Sequence, residues 1–321
     1  MLADWAEAHP LCVHTSCSSA VYLSLKVKIP EGSTIKFSSH RDYVEPVVVP
    51  AVSRWQILEL AEGRGEVSFD LERSISKVVY DGRRAAFTYG GRKYEILLDE
   101  LPEVEEDSCE VYALIDDAWR ELSIASNRFY KLCVFGRGWA PTLMIDGITM
   151  HSVLEDPLAL TRRKVRWAAG RVLECCTGLG YTAIEAIRRG ARHVVTVEVD
   201  RNVLELAAYN PYSRELFSEG RIDLVFGDMV DFVAALRDGA FDYVVHDPPR
   251  LSHATQVLYS EGLYKEYARV LKRGGGLFHY TGATGSKYRG ISVWSGVANR
   301  LRASGFTIKK VDRGFGVYAI K

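Results

Sequence analysis

Along the first 135 or so residues, apolar and polar positions alternate with the period of two that marks half-buried strands. Val21–Lys28 alternates in this way. Lys77–Tyr80 ends at Asp81-Gly82, Ala85–Tyr89 ends at Gly90-Gly91, and Tyr94–Leu98 follows. Asp-Gly and Gly-Gly supply the positive φ angles of tight primed turns, so these runs read as hairpins. Val111–Ile115, Glu121–Ala125 and Phe129–Phe135 continue the strand pattern, and one helix fits Ser53–Ala61.

The Arg137–Pro141 segment reads as a junction, dividing an N-terminal β-rich domain, 1–136, from a second domain, 137–321. A compact hairpin follows over Thr142–His151, turning at Asp146-Gly147. Asp156 is a good N-cap and Pro157 is tolerated in a first turn, which predicts a helix running to about Ala169. Strand and helix patterns then alternate, with strands at 171–175, 193–198, 222–226, 241–246, 275–280, 306–311 and 316–320. Such alternation means a mainly parallel sheet covered on both faces, an α/β fold. Only a short turn, Asp312–Gly314, joins the last two strands, so the final one must run antiparallel.

Composition narrows the class. The chain has 321 residues, 47% of them hydrophobic and 26% charged, the balance of a soluble globular protein. No apolar run approaches the ~18 residues of a membrane span, and the N-terminus carries Asp4 and Glu7 where a signal peptide is basic. The expectation is a cytoplasmic protein without a membrane partner. Cysteines at 12, 17, 109, 133, 175 and 176 show no zinc-ligand spacing, so reduced thiols and no metal are expected. Asn and Gln number four and two, a scarcity found in heat-adapted proteins. Net charge is zero but uneven: residues 1–150 carry 16 Lys+Arg and 23 Asp+Glu, and the rest carry 25 and 18. The basic half points to a polyanion such as nucleic acid, or to a solvated surface.

Candidate chemistry collects at the carboxyl ends of the predicted strands, where open α/β sheets bind ligands. Glu174–Gly180 (Glu-Cys-Cys-Thr-Gly-Leu-Gly) joins the first strand to a helix, and Gly178 and Gly180 let backbone turn sharply against a ligand. Glu198, ending the next strand, can accept both ribose hydroxyl hydrogens of a nucleoside. Asp228, after the third strand, can accept from an adenine amino group. The cofactor set is therefore Glu174, Thr177, Gly178, Gly180, Glu198, Asp228 and Met229. A dinucleotide is the competitor, but Ala183 stands where its third glycine belongs. Asp247-Pro248-Pro249-Arg250 follows the fourth strand. Asn210-Pro211-Tyr212 imitates that motif but reads as a helix end, because proline disfavours helix in the residue before it. Arg162, Arg163 and Lys164 read as a solvated face.

The Asp247–Arg250 segment resembles the motif of S-adenosylmethionine (SAM)-dependent methyltransferases that act on exocyclic base amines. By that resemblance, Asp247 and the Pro248 carbonyl accept the amine hydrogens, with Pro249 stiffening the loop. Arg250 departs from the pattern, standing where an aromatic stacks on the base. Asp-Pro-Pro-Arg also occurs in carbon-5 pyrimidine enzymes, which need a cysteine that no segment after the fifth strand provides. Residues 137–321 resemble an archaeal family of predicted class I SAM-dependent methyltransferases, through Asp146–His151, Cys176–Ala186, Asn210–Leu216, His246–Ser252, Leu277–Gly282 and Lys287–Gly290. The resemblance implies a Rossmann-like domain with a seven-stranded sheet and SAM as cofactor. It implies an RNA partner, ribosomal RNA or a ribosomal subunit, methylated at N4 of a cytidine. Arg250, His279, Tyr280, Lys287 and Arg289 are the expected substrate contacts. Two other functions compete. Tyr259–Tyr264 followed by Leu271–Gly275 resembles polyamine aminopropyltransferases, which use decarboxylated SAM, although acidic segments for a polycation are missing and Arg250 puts a cation in the pocket. A non-catalytic SAM-binding RNA or ribosome-assembly factor is the third reading.

Overall fold

The computed structural model describes residues 38–39, 44–282 and 292–321. The strand expected at Val21–Lys28, together with Cys12, Cys17, Lys287 and Arg289, lies outside these residues. The main sheet contains β1 (Gly170–Cys175), β2 (Ala191–Glu198), β3 (Ile222–Phe226), β4 (Phe241–His246), β5 (Leu271–Tyr280), β6 (Thr307–Asp312) and β7 (Gly316–Ile320). Their order is β3-β2-β1-β4-β5-β7-β6. The first five are parallel, and β7 runs antiparallel to both β5 and β6. An eighth strand, Ser38–Ser39, pairs antiparallel with β3 and is too short for a hydrophobic pattern to reveal.

The central strands are apolar almost throughout because both of their faces are covered. The helices are α1 (Pro157–Lys164), α2 (Tyr181–Arg188), α3 (Arg201–Tyr209), α4 (Arg214–Ser218), α5 (Met229–Ala235), α6 (Glu261–Val270) and α7 (Val293–Ala303). One core joins Leu158, Ile184 and Leu204 to Val172 and Val245; the other joins Phe232, Tyr264 and Leu301 to Leu173 and Val244. Thus α1–α3 lie on one face and α5–α7 on the other. The first helix stops five residues short of the expected Ala169. Beyond Lys164 the chain tightens into turns, with Arg166 N–H on the Arg163 carbonyl and Ala168 N–H on that of Val165.

The N-terminal region is β-rich, with Ser76–Asp81, Arg84–Tyr89 and Arg92–Leu97 paired as successive hairpins. The strand expected over Glu121–Ala125 is broken at the buried Leu122, so that Ala118–Glu121 and Ser123–Ala125 join different sheets. Cys133 pairs with Thr142, so one sheet runs across the Arg137–Pro141 segment. That sheet rests on α3: Tyr130 OH donates to Asp200 Oδ2 at 2.7 Å, and Asn202 Nδ2 to Ser126 Oγ at 3.2 Å.

Candidate active site

The loop after β1 is held from below. Asn210 ends α3, and its carboxamide donates to Tyr181 OH at 2.7 Å and Ser213 Oγ at 2.8 Å. Ser213 Oγ in turn donates to the Leu179 carbonyl at 2.7 Å. Gly180 opens α2 with φ +78°, and a Cβ there would meet Leu216 Cδ2 at 2.6 Å. Gly180→Ala combines left-handed strain with overpacking, about 2–4 kcal/mol together. Its expected effect is a melting temperature lower by roughly 5–10 °C in a thermal scan. Gly178, at φ +54°, has nothing within 4 Å of its Cβ position, so a ligand can approach this backbone closely.

Three carboxyl groups line the top of adjacent strands. Glu198, buried at the end of β2, accepts N–H from Gly178 at 2.9 Å and from Val199 and Asp200 at 3.0 Å each. Burial pushes its pKa up to about 7 against the pull of those backbone donors. Glu174, on β1, is 1% exposed, and both of its carboxyl oxygens lack a hydrogen-bond partner. Burial holds its pKa well above the usual carboxyl range, with Asp247 and Cys175 adding to the rise and weak interactions with the Thr196 and Thr182 hydroxyls opposing it. Asp247, just past β4, has its side chain 18% exposed. Its Oδ2 lies 2.5 Å from Nζ of Lys164, and that ammonium also sits 4.0 Å from the ring centre of Tyr280.

This arrangement fits an adenosyl sulfonium. The open backbone at Gly178 offers room, Glu198, held by backbone N–H groups, could receive ribose hydroxyls, and the poorly satisfied Glu174 could receive an ammonium group. Asp228 is exposed and caps α5, accepting Val230 N–H at 2.7 Å. Because Glu198 accepts hydroxyl hydrogens best when ionised, cofactor affinity is expected to fall as pH drops below about 7. Calorimetric titration from pH 8 to pH 5.5 should show at most a tenfold loss per pH unit.

Several expected site residues are placed differently. His279 is fully buried; its Nε2 pairs with Tyr264 OH at 2.8 Å and its Nδ1 with the Tyr280 carbonyl at 2.9 Å. It is packed in the core, in register with His246. Met229 is likewise largely buried, 4% exposed and packed in the core beside Phe232 and Val233 of α5. The Thr177 hydroxyl is turned inward to Thr196 Oγ1 at 2.6 Å. Tyr280 does reach the site, beside Lys164 and Asp247. Pro248 is buried, whereas Pro249 and Arg250 are exposed, with the Pro249 carbonyl accepting Tyr259 OH at 2.8 Å. Lys164 is the residue the sequence reading missed: it shares the spacing of buried Pro157, Leu160 and Thr161, and is 1% exposed.

Among the described residues, no group of three or more His, Cys, Asp or Glu could hold a metal, and no helix is long and apolar enough to cross a membrane. A cavity of about 630 Å³, bordered by Trp167, Gly170, Asp242, Gly274 and Tyr318, lies toward the amino ends of β1 and β4. It is at the wrong end of the strands for the chemistry above.

Comparison with known proteins identifies the relationships. The family described as Conserved hypothetical protein 95 matches residues 156–272. Uncharacterized protein MJ1233 of Methanocaldococcus jannaschii is 42% identical over 270 residues, 82% of this chain and 87% of that protein. A polyamine aminopropyltransferase of Pseudomonas syringae pv. tomato is 31% identical over 139 residues, 42% of this chain and 48% of its own length. A spermidine synthase crystallised with the transition-state analogue AdoDATO superposes with a TM-score of 0.50 at 18% identity, covering 62% of this chain and 71% of that one. The fold is therefore the Rossmann-like fold of SAM-type transferases. The expectation of an RNA base amine, N4 of a ribosomal RNA cytidine, is overturned: the similarity runs to polyamine enzymes. The burial of His279 removes one of its expected base contacts.

Proposed function

We propose that this chain, which belongs to the family of the Methanocaldococcus jannaschii protein MJ1233, transfers an aminopropyl group from decarboxylated SAM to an amine of the polyamine class. The observation that carries this reading is the row of carboxyl groups, Glu198, Glu174 and Asp247, across the tops of β2, β1 and β4. Carboxyl groups suit a donor that carries a sulfonium and an ammonium. The similarity of 139 residues to a polyamine aminopropyltransferase supports the same choice.

The bound donor would supply an electrophilic carbon, whose bond to sulfur breaks as a neutral thioether leaves. Glu198 holds the ribose and Glu174 the donor's ammonium. Asp247, with one oxygen given to Lys164, uses the other to accept an amine hydrogen. That contact turns the nitrogen lone pair toward the carbon, and Asp247 takes the proton once the new C–N bond has formed. Tyr280, its phenol pushed up to about 12 by burial and by Asp247, stays protonated and forms a wall of the acceptor space.

The test is a donor comparison by calorimetry, followed by turnover. Decarboxylated SAM should bind more tightly than SAM and support transfer to a diamine or triamine. Tighter binding of SAM, with methyl transfer in place of aminopropyl transfer, would reject the donor assignment.

A further inference from the structure

We infer that Lys164 sets the charge state of the acceptor: by answering the charge of Asp247 it weakens the hold on a protonated amine and favours entry of the reacting nitrogen as the free base. The inference rests on the amine-transfer reading above and narrows its substrate class to amines presented as the free base.

The geometry carries it. Asp247 brings a single negative charge to the acceptor side, and Lys164 Nζ already lies 2.5 Å from Oδ2. Lys164 is 1% exposed and is backed by the Tyr280 ring at 4.0 Å, so its ammonium cannot swing into solvent without unpacking α1. An ammonium arriving at the other carboxylate oxygen would stand about 5 Å from Lys164. In a half-buried setting that repulsion is worth on the order of a hundredfold in affinity. A neutral amine avoids the penalty, donates one hydrogen to Asp247, and has the lone pair that an ammonium lacks.

The other groups facing Asp247 do not change the balance. His151 precedes α1 and is kept neutral, its pKa lowered to about 3 by burial and by Lys164. Burial raises Glu174 on β1 and so favours its neutral form, and Cys176, raised by its contact with Cys175 and by burial, stays a thiol. Tyr259 and Tyr280 are raised by burial and also stay protonated. Arg250 beyond β4 adds positive charge. With donor bound, Glu174 is engaged by the donor's ammonium, leaving the acceptor side no spare negative charge for a second cation.

The test compares one aliphatic diamine with a weakly basic amine of similar length. For the wild-type chain, kcat/KM with the diamine should rise about tenfold per pH unit from pH 7 to 9, following the free base, while the weakly basic amine gives a flat profile. Lys164→Met should lower KM for the diamine at pH 7 on the order of a hundredfold, with kcat falling in step, because the ammonium it admits has no lone pair and kcat/KM still follows the free base. Lys164→Arg keeps the charge and should keep the wild-type KM. Equilibrium titration of the diamine onto protein saturated with the thioether product gives the same comparison without turnover, and melting curves confirm that each variant is folded. A flat wild-type profile, or a diamine KM unchanged or raised in folded Lys164→Met, would overturn the inference while leaving amine transfer standing. Absence of transfer to any amine at any pH would instead overturn the reading on which it rests.

Discussion

Replacing Asp247 by Asn is expected to lower the rate of transfer by about 10²–10⁴ while donor binding stays close to wild type. The effect has two sources. A carboxamide cannot take the proton released as the new C–N bond forms, and its dipole aligns the nitrogen lone pair less strongly than a charge does. A structural side effect also follows, because Asn leaves Lys164 buried without a counter-charge. Breaking a buried pair in this way destabilises by about 3–5 kcal/mol. The double change Asp247→Asn with Lys164→Met removes both charges and should recover most of that stability without recovering activity. Rate and melting temperature measured on all three variants separate chemistry from folding. Recovery of activity in the double variant would show that Asp247 matters only as the partner of Lys164.

Glu174→Gln is expected to weaken donor binding by about 10–100-fold, the worth of a hydrogen bond to a charged group. The free protein should melt at the same temperature or higher. The prediction runs against the usual outcome for a buried substitution because Glu174 has little to lose: neither oxygen has a partner of good hydrogen-bond geometry, the Thr182 and Thr196 hydroxyls only partly offset its burial, and burial favours its neutral form. A group left in that condition is costly to the free fold and is explained by what it receives from a ligand. Calorimetric titration and a thermal scan of the same variant read both effects. Unchanged donor affinity would remove Glu174 from the site.

The parts of this site that could be read in the sequence are those fixed by local backbone geometry. Gly178 and Gly180 announce a loop with positive φ between a strand and a helix, and both take that conformation. Glu198 and Asp228 sit at strand ends, which the periodicity marks well. The side of the sheet to which a strand-end residue points is not local information. His279 stands at the expected height but is buried: in register with His246, it pairs with Tyr264, while His246 pairs with Tyr267. Lys164 was legible only in part. Its spacing from Pro157, Leu160 and Thr161 places it on the buried side of α1, but nothing within the helix indicates that Asp247, 83 residues away, would receive it.

The basic excess of the second half misled for a related reason. Many of its cations are already matched: Arg162 and Arg188 pair with Glu185, Arg269 with Glu266, and Lys272 with Asp242. Charge counted along a chain does not distinguish these from cations free to meet a polyanion. The Asp-Pro-Pro-Arg segment is similarly general. A carboxyl group beside a stiff turn can receive any amine, and the identity of that amine is set by the surrounding walls and charges.

The central claim is aminopropyl transfer to an amine at Asp247, and mass spectrometry of one reaction tests it most directly. The chain and its Asp247→Asn variant are incubated with decarboxylated SAM and an aliphatic diamine at pH 9. The account predicts the aminopropylated amine together with 5′-methylthioadenosine from the wild type, and neither above background from the variant. Intact donor and unmodified amine in the wild-type reaction, with the donor shown to be bound, would contradict it.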